Sequence, residues 1–544
     1  MARFVCPVRP RFDREELNTG GRKNQYIIDG QGTRAARTTV AGLSAALTPS
    51  NRVWFLLTHP DSRIRDMTEA KAYFHVSGEA SRRVLSNSNF YQVMGTFYWD
   101  WVCFSNACLF IEEDDEDILR FTTIPIGEWA CGNDYKLRGR CFMREYEMTV
   151  RQVVEKFCEK GKDGKYDLSK VSPGIASNFM NGQTETSTQI THMVFRNYMF
   201  KEREINFKKR YISVYYETGT LQDSPYGDSG STGGDVPLKV GGYDMFPALF
   251  GRWGLRAGDS YGSWGPTNVA IGDVRELQYV ARLQAEAVLK QVNPALTGGG
   301  RLKKNNVDLT PGEITWMGDP KTSDSLRSVY DVRFDIDHAT ALRQDIRESI
   351  KDAYYVNAFQ RFVSTNRSYL TAKQVGQEER EVLTELSPVL ELLNHDVLRP
   401  LIDMVFITLA KRKLLPEAPE VLQGELFDVE YVSTLHQAQK LMNAGGIERF
   451  FTFVGNAAGI QPEVLDKINP DGLVNEYGDV TSIPPGLVRS DAEAGGIREQ
   501  RAQAQQQEKM VDDTMAESDI AKNLGAAKVN EEETALGALL GVES

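Results

Sequence analysis

The chain has 544 residues, 41% of them hydrophobic and 25% charged, with a formal net charge of −12. That length exceeds what a single hydrophobic core serves, so two or more structural units are expected, and the negative balance excludes simple capture of nucleic acid on a basic face. The longest strongly apolar stretch, Pro400 to Ala410, is broken by Asp403 and is too short to cross a bilayer. The basic N-terminus lacks the apolar run of a secretory signal, so no membrane contact and no export are expected.

Six cysteines in so long a chain make no disulfide framework. Cys103 and Cys108 have neither a second pair nor a nearby histidine to complete a zinc tetrahedron, and they are expected as reduced core residues. The six histidines are scattered without H-E-x-x-H spacing. No metal ligand set, no cofactor motif and no Ser-His-Asp or Cys-His arrangement is visible, so no catalytic residue is assigned and the chain is read as a non-enzyme.

In chain order, residues 33 to 47 place Val40, Leu43 and Leu47 on one helical face, and the helix ends at Thr48-Pro49. A second helix is expected from about Met67 to Leu85. Phe90, Val93, Met94, Phe97, Trp101 and Phe104 then recur at three- and four-residue steps, which predicts a helix from near Asn89 with a buried aromatic face. Leu109 to Ile111 leads into the acidic run Glu112 to Asp117, and Ile118 to Ile124 leads out of it, a β-hairpin with a charged tip closed by Pro125. Those six consecutive acids could be imagined as a nuclease metal site. Nuclease carboxylates come from separate elements with a water-positioning partner, so a solvated tip is the simpler reading.

Thr149 to Glu159 reads as a helix, and Gln189 to Phe200 and Lys209 to Thr218 read as long strands. Gly219 to Gly234 is a loop of small residues without the G-x-x-x-x-G-K-[ST] pattern, which is absent elsewhere too. Nucleotide-driven work would therefore fall to a partner. Asp273 and Glu276 resemble a capping box opening a helix to about Val292, with Leu277, Ala281, Val288 and Val292 on one stripe. A loop-rich insert follows Asn293-Pro294, then a strand at Val329 to Phe334. The next helix runs from Asp337, taken as its N-cap, to about Ala358, with Leu342, Ile346, Ile350 and Ala353 on one face. Residues 371 to 413 carry the longest helical pattern, from Val382 to Leu409, with kinks expected at Pro388 and Pro400. Residues 490 to 511 form a polar helix that needs a neighbour or disorder to explain it.

The succession of an SNFY helix, an aromatic return, an EED turn, a P-x-G-E segment and an RE-x-x-MT helix start resembles the head-to-tail connecting (portal) proteins of short-tailed, T7-like double-stranded DNA bacteriophages. Further matching motifs are GLSAALTPSNRVWFL at Gly42 to Leu56, YGSWGPTNVAIGDVREL at Tyr261 to Leu277, PGEI at Pro311 to Ile314, L-x-P-L-I at Leu398 to Ile402, and Tyr431-Val432-Ser433. They keep family order across roughly residues 40 to 490.

The resemblance implies an α+β, mainly helical portal fold that assembles as a ring of about twelve copies. It implies the N-terminal part of the wing at 1–270, a first stem helix at 271–292, a clip at 293–336 and a second stem helix at 337–358. A tunnel loop at 359–370, a return helix and wing at 371–434, and a crown and tail at 435–544 complete it. Two acid-free basic windows fall at the stem and clip and around the tunnel loop. Lys290, Arg301, Lys303, Lys304, Arg361, Asn366, Arg367 and Lys373 are the expected DNA-channel residues. Leu302, Leu309, Trp316 and Met317 are the expected docking residues of the clip. Subunit-interface ion pairs or ordinary solvated faces are the other reading of these bases. The implied partners are further copies of the chain, the terminase large subunit, tail adaptor and tail proteins, major capsid and scaffolding proteins, and double-stranded DNA bound without sequence preference. The implied place is the portal vertex of the virion, with the host cytoplasm during assembly. Rival readings are a tail adaptor or internal virion interaction protein and, further off, a metal-dependent nuclease.

Overall fold

A computed structural model describes residues 1–7, 11, 24–65, 67–197, 209–218, 237–256, 258–293, 296–297, 327–328, 335–357, 359, 387–422, 428–431, 450, 452–454, 456, 472, 494–506, 528–529 and 533–534. The chain divides into two compact units. The first comprises Met1–Leu57, Ser77–Pro416 and Val429–Leu435; the second comprises Thr58–Val76, Glu417–Asp428 and His436–Ser544. In the second unit the described polar segment 494–506 is helical and mostly exposed, as its composition predicts.

The N-terminal elements are α1 (Gln31–Leu47), β1 (Phe55–Thr58), α2 (Ser62–Arg65), α3 (Thr68–Asn87) and α4 (Phe90–Phe104). Helix α4 is the aromatic slab that its spacing predicts: Phe90, Phe97, Tyr98 and Trp101 are fully buried. Asn89 stands at its N-cap position without capping the helix. Its amide instead brackets Phe121, donating to the carbonyl at 2.8 Å and accepting from the N–H at 3.0 Å, which fixes α4 on the hairpin beneath.

That hairpin is β2 (Asn106–Asp114) and β3 (Ile118–Ile124), antiparallel with Ile111 opposite Phe121. Three of the six acids, Glu112 to Asp114, continue β2, so only residues 115 to 117 make the turn. A five-stranded antiparallel sheet follows from β4 (Trp129–Asn133), β5 (Gly139–Thr149), β6 (Ser187–Arg196), β7 (Tyr211–Glu217) and β8 (Lys239–Tyr243), in the order β4-β5-β6-β7-β8. The strand β9 (Ala248–Arg252) pairs with β2 and completes the order β3-β2-β9. Phe110, Phe142, Val194, Phe246 and Phe250 form a shared core between the two sheets, with the Phe110 and Phe142 rings 5.2 Å apart. On the five-stranded sheet, α5 (Val150–Phe157) and α6 (Pro173–Met180) bury Val153, Val154, Phe157 and Ile175. A full capping box joins Thr149 and Gln152 at the start of α5. The loop expected at 219 to 234 lies outside the described residues.

The first of the two central helices, α7, spans Pro266–Val292 and so starts seven residues before Asp273. Pro266 occupies the first helical position after Gly265, where its missing N–H costs nothing, and the Asp273/Glu276 pair lies inside the helix. The predicted stripe is buried only as far as Ala281; Val292 is 78% exposed. Helix α8 (Ile336–Ala353) is capped by Asp335, whose carboxylate accepts from the N–H groups of Asp337 and His338, so Asp337 is not the cap. The regular helix stops at Ala353, before the predicted end at Ala358, because Tyr355 takes a left-handed conformation with φ 55°.

At Pro400, where a kink is expected, the helical run instead changes form. A π-helical turn at Asn394–Leu398 precedes α9 (Arg399–Lys411). Of the predicted positions, Leu393, Val397, Leu401, Val405 and Leu409 are buried and Leu390 is half-buried; Val382 and Leu386 lie outside the described residues.

Candidate functional site: the α7–α8 helix pair and its anchor

Asp273 Oδ2 accepts from the Ser349 hydroxyl at 2.6 Å, and the Gln284 amide meets Thr340 at 3.5 Å. As numbering rises along α7 it falls along α8, so the helices run antiparallel. α7 leads out to the segment 293–335 and α8 leads back. At the outer end Leu296 and Thr297 pair with Ser328 and Arg327, which brings the two arms of that segment together.

The inner end of the pair is held by a buried tyrosine. Tyr354 is fully buried; its carbonyl accepts from the Thr39 hydroxyl of α1 at 2.5 Å, and its hydroxyl meets Thr267 of α7 at 2.8 Å. Thr267 also donates to the Val102 carbonyl of α4 at 3.0 Å. One residue thus fixes α8, α7, α1 and the aromatic slab.

Midway along, Asp29 is 3% exposed and is bonded by both helices. Arg343 and Arg347, one turn apart on α8, each donate to its Oδ2 at 2.8 Å. Gln278 of α7 accepts from the N–H groups of Ile28 and Asp29 at 2.7 and 2.8 Å and donates to the Asp29 carbonyl at 2.8 Å. Burial acts to raise the Asp29 carboxyl, but the bonds from Arg343, Arg347 and the Gln31 N–H outweigh it and hold it below the ordinary range. The N-terminal segment is tied to the helix pair by these bonds.

A second buried pair, Arg252 on β9 with Asp396 in the π turn, closes at 2.5 Å with both side chains under a tenth exposed. Arg252 also donates to the Leu137 carbonyl at 3.2 Å. The extra residue of the π turn places Asp396 over the sheet.

Of the predicted DNA-channel residues, Lys290 is described: it lies in the last turn of α7, exposed to solvent. Arg301, Lys303, Lys304, Arg361, Asn366, Arg367 and Lys373, and the docking residues Leu302, Leu309, Trp316 and Met317, lie outside the described residues. The acidic strand end borders a cleft of about 510 Å³ with Asp244, Lys209 and Lys411. Asp244 Oδ2 takes both lysines, at 2.7 and 2.5 Å. Among the described residues no three His, Cys, Asp or Glu side chains are grouped to hold a metal ion, and no helix is long and apolar enough to cross a membrane. Sequence reading missed Asp29, Gln278, Arg252 and Asp396. The one legible trace was the Arg343/Arg347 spacing, which places two bases on the same side of α8 as buried Ile346 and Ile350.

The sequence profile of the family described as "Bacteriophage head to tail connecting protein" matches residues 1–488. The chain belongs to this family. Among relatives, the "Portal protein" of Salmonella phage epsilon15 is 31% identical over 529 residues, 97% of this chain and 91% of the relative. The "Probable portal protein" of Bordetella phage BPP-1 is 30% identical over 530 residues, 97% of this chain and 92% of that one. Similar solved structures include a chain of a native gene transfer agent virion, at 7% identity and a TM-score of 0.35 over 83% of this chain and 94% of that chain. Another is from the neck of an empty gene transfer agent particle, at 9% identity and the same TM-score of 0.35, over 82% and 90% of the two chains. Family membership gives the chain a portal function: a structural component of the virion at the capsid vertex, between head and tail, with capsid and tail proteins as its neighbours.

Proposed function

We propose that the chain forms a closed ring of about twelve copies through which double-stranded DNA enters and leaves the head. The observation that carries this reading is the antiparallel pair α7 and α8, anchored at one end by Tyr354 and midway by Asp29, with the segment 293–335 connecting the two helices at the other end. In this reading α7 and α8 are the stem, residues 293 to 335 the clip, residues 359–370 the tunnel loop, the mixed sheet-and-helix body the wing, and residues 435–544 the crown and tail. Assembly takes place in the host cytoplasm with capsid and scaffolding proteins.

Lys290 and the basic residues at 301, 303, 304, 361, 367 and 373, with Asn366, face the channel and touch phosphates without reading sequence. The net charge of −12 limits sticking elsewhere on the wall. Leu302, Leu309, Trp316 and Met317 dock the terminase motor during packaging and then the tail adaptor. The role is mechanical, with no reaction catalysed by the chain.

The test is a deletion of residues 295–330 in the full chain. The expected product still forms rings by negative stain but binds neither the terminase large subunit nor tail proteins. Retained binding of both would remove the clip assignment.

A further inference from the structure

The acidic end of β2 has one uncovered edge. Strand β9 pairs with β2 from Asn106 to Phe110, and beyond it the Ile111 N–H donates to the Pro247 carbonyl at 2.9 Å. Pro247 has no N–H to return that bond, and residues 244 to 247 belong to no strand. β2 nevertheless continues to Asp114, paired there with β3 alone among the described residues. Main-chain groups alternate sides along an antiparallel strand, and the bond from Ile111 shows that the odd-numbered residues of β2 face the β9 side. The N–H and carbonyl of Glu113 therefore point to an edge that no described strand occupies.

That edge opens on the cleft of about 510 Å³ between the hairpin, residues 242 to 245 and α9, where Met245, Met404 and Ile407 supply apolar lining. Its charged lining is four carboxylates, Glu112, Glu113, Asp114 and Asp244, and three cations, Arg120, Lys209 and Lys411. Both lysines are held by Asp244, and Arg120 stands opposite Glu112 in the hairpin register. Glu113 and Asp114 remain as a negative rim. One guanidinium of the chain already reaches this rim, since Arg412 donates to the Asp114 carbonyl at 2.7 Å.

Open main-chain groups are satisfied by an extended chain, whose side chains alternate between its two faces. The apolar lining suits one face and the carboxylates suit the other. We propose that this edge and cleft dock an extended segment of a partner protein in which lysine or arginine alternates with aliphatic residues. The segment pairs with the Glu113 main chain, sets its aliphatic side chains against Met245, Met404 and Ile407, and turns its cations to Glu113 and Asp114. The inference stands apart from the ring reading, because every group that it uses lies in one copy.

The probe is a fluorescein-labelled peptide of alternating lysine and valine, titrated into the full chain by fluorescence anisotropy. The expected result is saturable binding, with slowed hydrogen exchange in the fragment that holds Glu113. A peptide of the same composition with its lysines in one block, and one N-methylated along its pairing edge, should each bind about tenfold more weakly. Glu113→Lys together with Asp114→Lys should also lose about tenfold. Asp163→Lys together with Asp259→Lys makes the same charge change on exposed residues outside the cleft lining and should leave binding unchanged. Both double variants are checked for folding by circular dichroism, and the peptide comparison on the unmodified chain decides the matter if either fails to fold. Equal binding of all three peptides, or equal losses in the two double variants, would reduce the effect to general attraction of cations to an acidic protein and overturn the proposal. Exchange at Glu113 that is already slow in the chain alone and unchanged by the probe would mean that a second copy or the chain's own residues cover the edge, and would overturn it as well.

Discussion

Asp29 takes two guanidinium groups while its backbone is held by Gln278, so its removal strands Arg343 and Arg347 beside a buried main chain. Both arginines remain about 30% exposed, which lowers the cost below that of a fully buried pair. Asp29→Ala is expected to destabilise the fold by about 2 kcal/mol in urea unfolding. The folded carboxyl titrates below its ordinary value of 3.8, so the stability it adds is complete above that pH and fades as pH falls through the lower folded value. Below about pH 4 the variant and the parent should therefore converge in stability. Arg252 and Asp396 are both nearly excluded from water, and a single Asp396→Ala change should cost more, about 3–5 kcal/mol by thermal or urea unfolding. Replacing both by apolar residues should recover part of that loss. Asp29, Gln278, Arg252 and Asp396 did not announce themselves in the sequence. Ion pairs across more than a hundred positions leave no local spacing to read, whereas the aromatic face of α4 is written in steps of three and four.

At the scale of elements, local chemistry was legible and long-range constraint was not. The α4 slab, the hairpin, the two long strands and the core stripe of α9 all follow from apolar periodicity, which a helix or strand must satisfy within a few residues. The errors sit at ends. Helix α7 starts at Pro266, after Gly265, and α8 stops at Ala353, where Tyr354 is bound by α1 and α7 and Tyr355 turns left-handed. Thr149→Ala removes one half of the α5 capping box and should cost about 1 kcal/mol, measurable as a shift in the urea midpoint. Gly262 is a different case. A Cβ there would collide with the Trp253 N–H group and the Ser105 carbonyl, both backbone atoms that cannot yield. Gly262→Ala should destabilise by about 2–3 kcal/mol or leave the chain insoluble, whereas Gly272→Ala on the open side of α7 should be neutral or slightly stabilising.

For the whole molecule, motif order along the chain carried the reading further than composition could. A charge of −12 and an ordinary hydrophobic fraction fit many proteins, but the ordered succession from the LTP motif to the Tyr431-Val432-Ser433 motif points to one family, and the match over residues 1–488 agrees. Most of the predicted channel and docking residues fall outside the described residues. The exposure of Val288, Leu289 and Val292 was not legible from the helical stripe. Periodicity says that a face is apolar, but not whether the chain's own core or a second copy covers it. The central claim is assembly, and native mass spectrometry of the purified full chain, with negative-stain imaging alongside, tests it most directly. The account predicts one closed species of about twelve copies with a central hole. A monomer or dimer that persists at high concentration and across salt would contradict it.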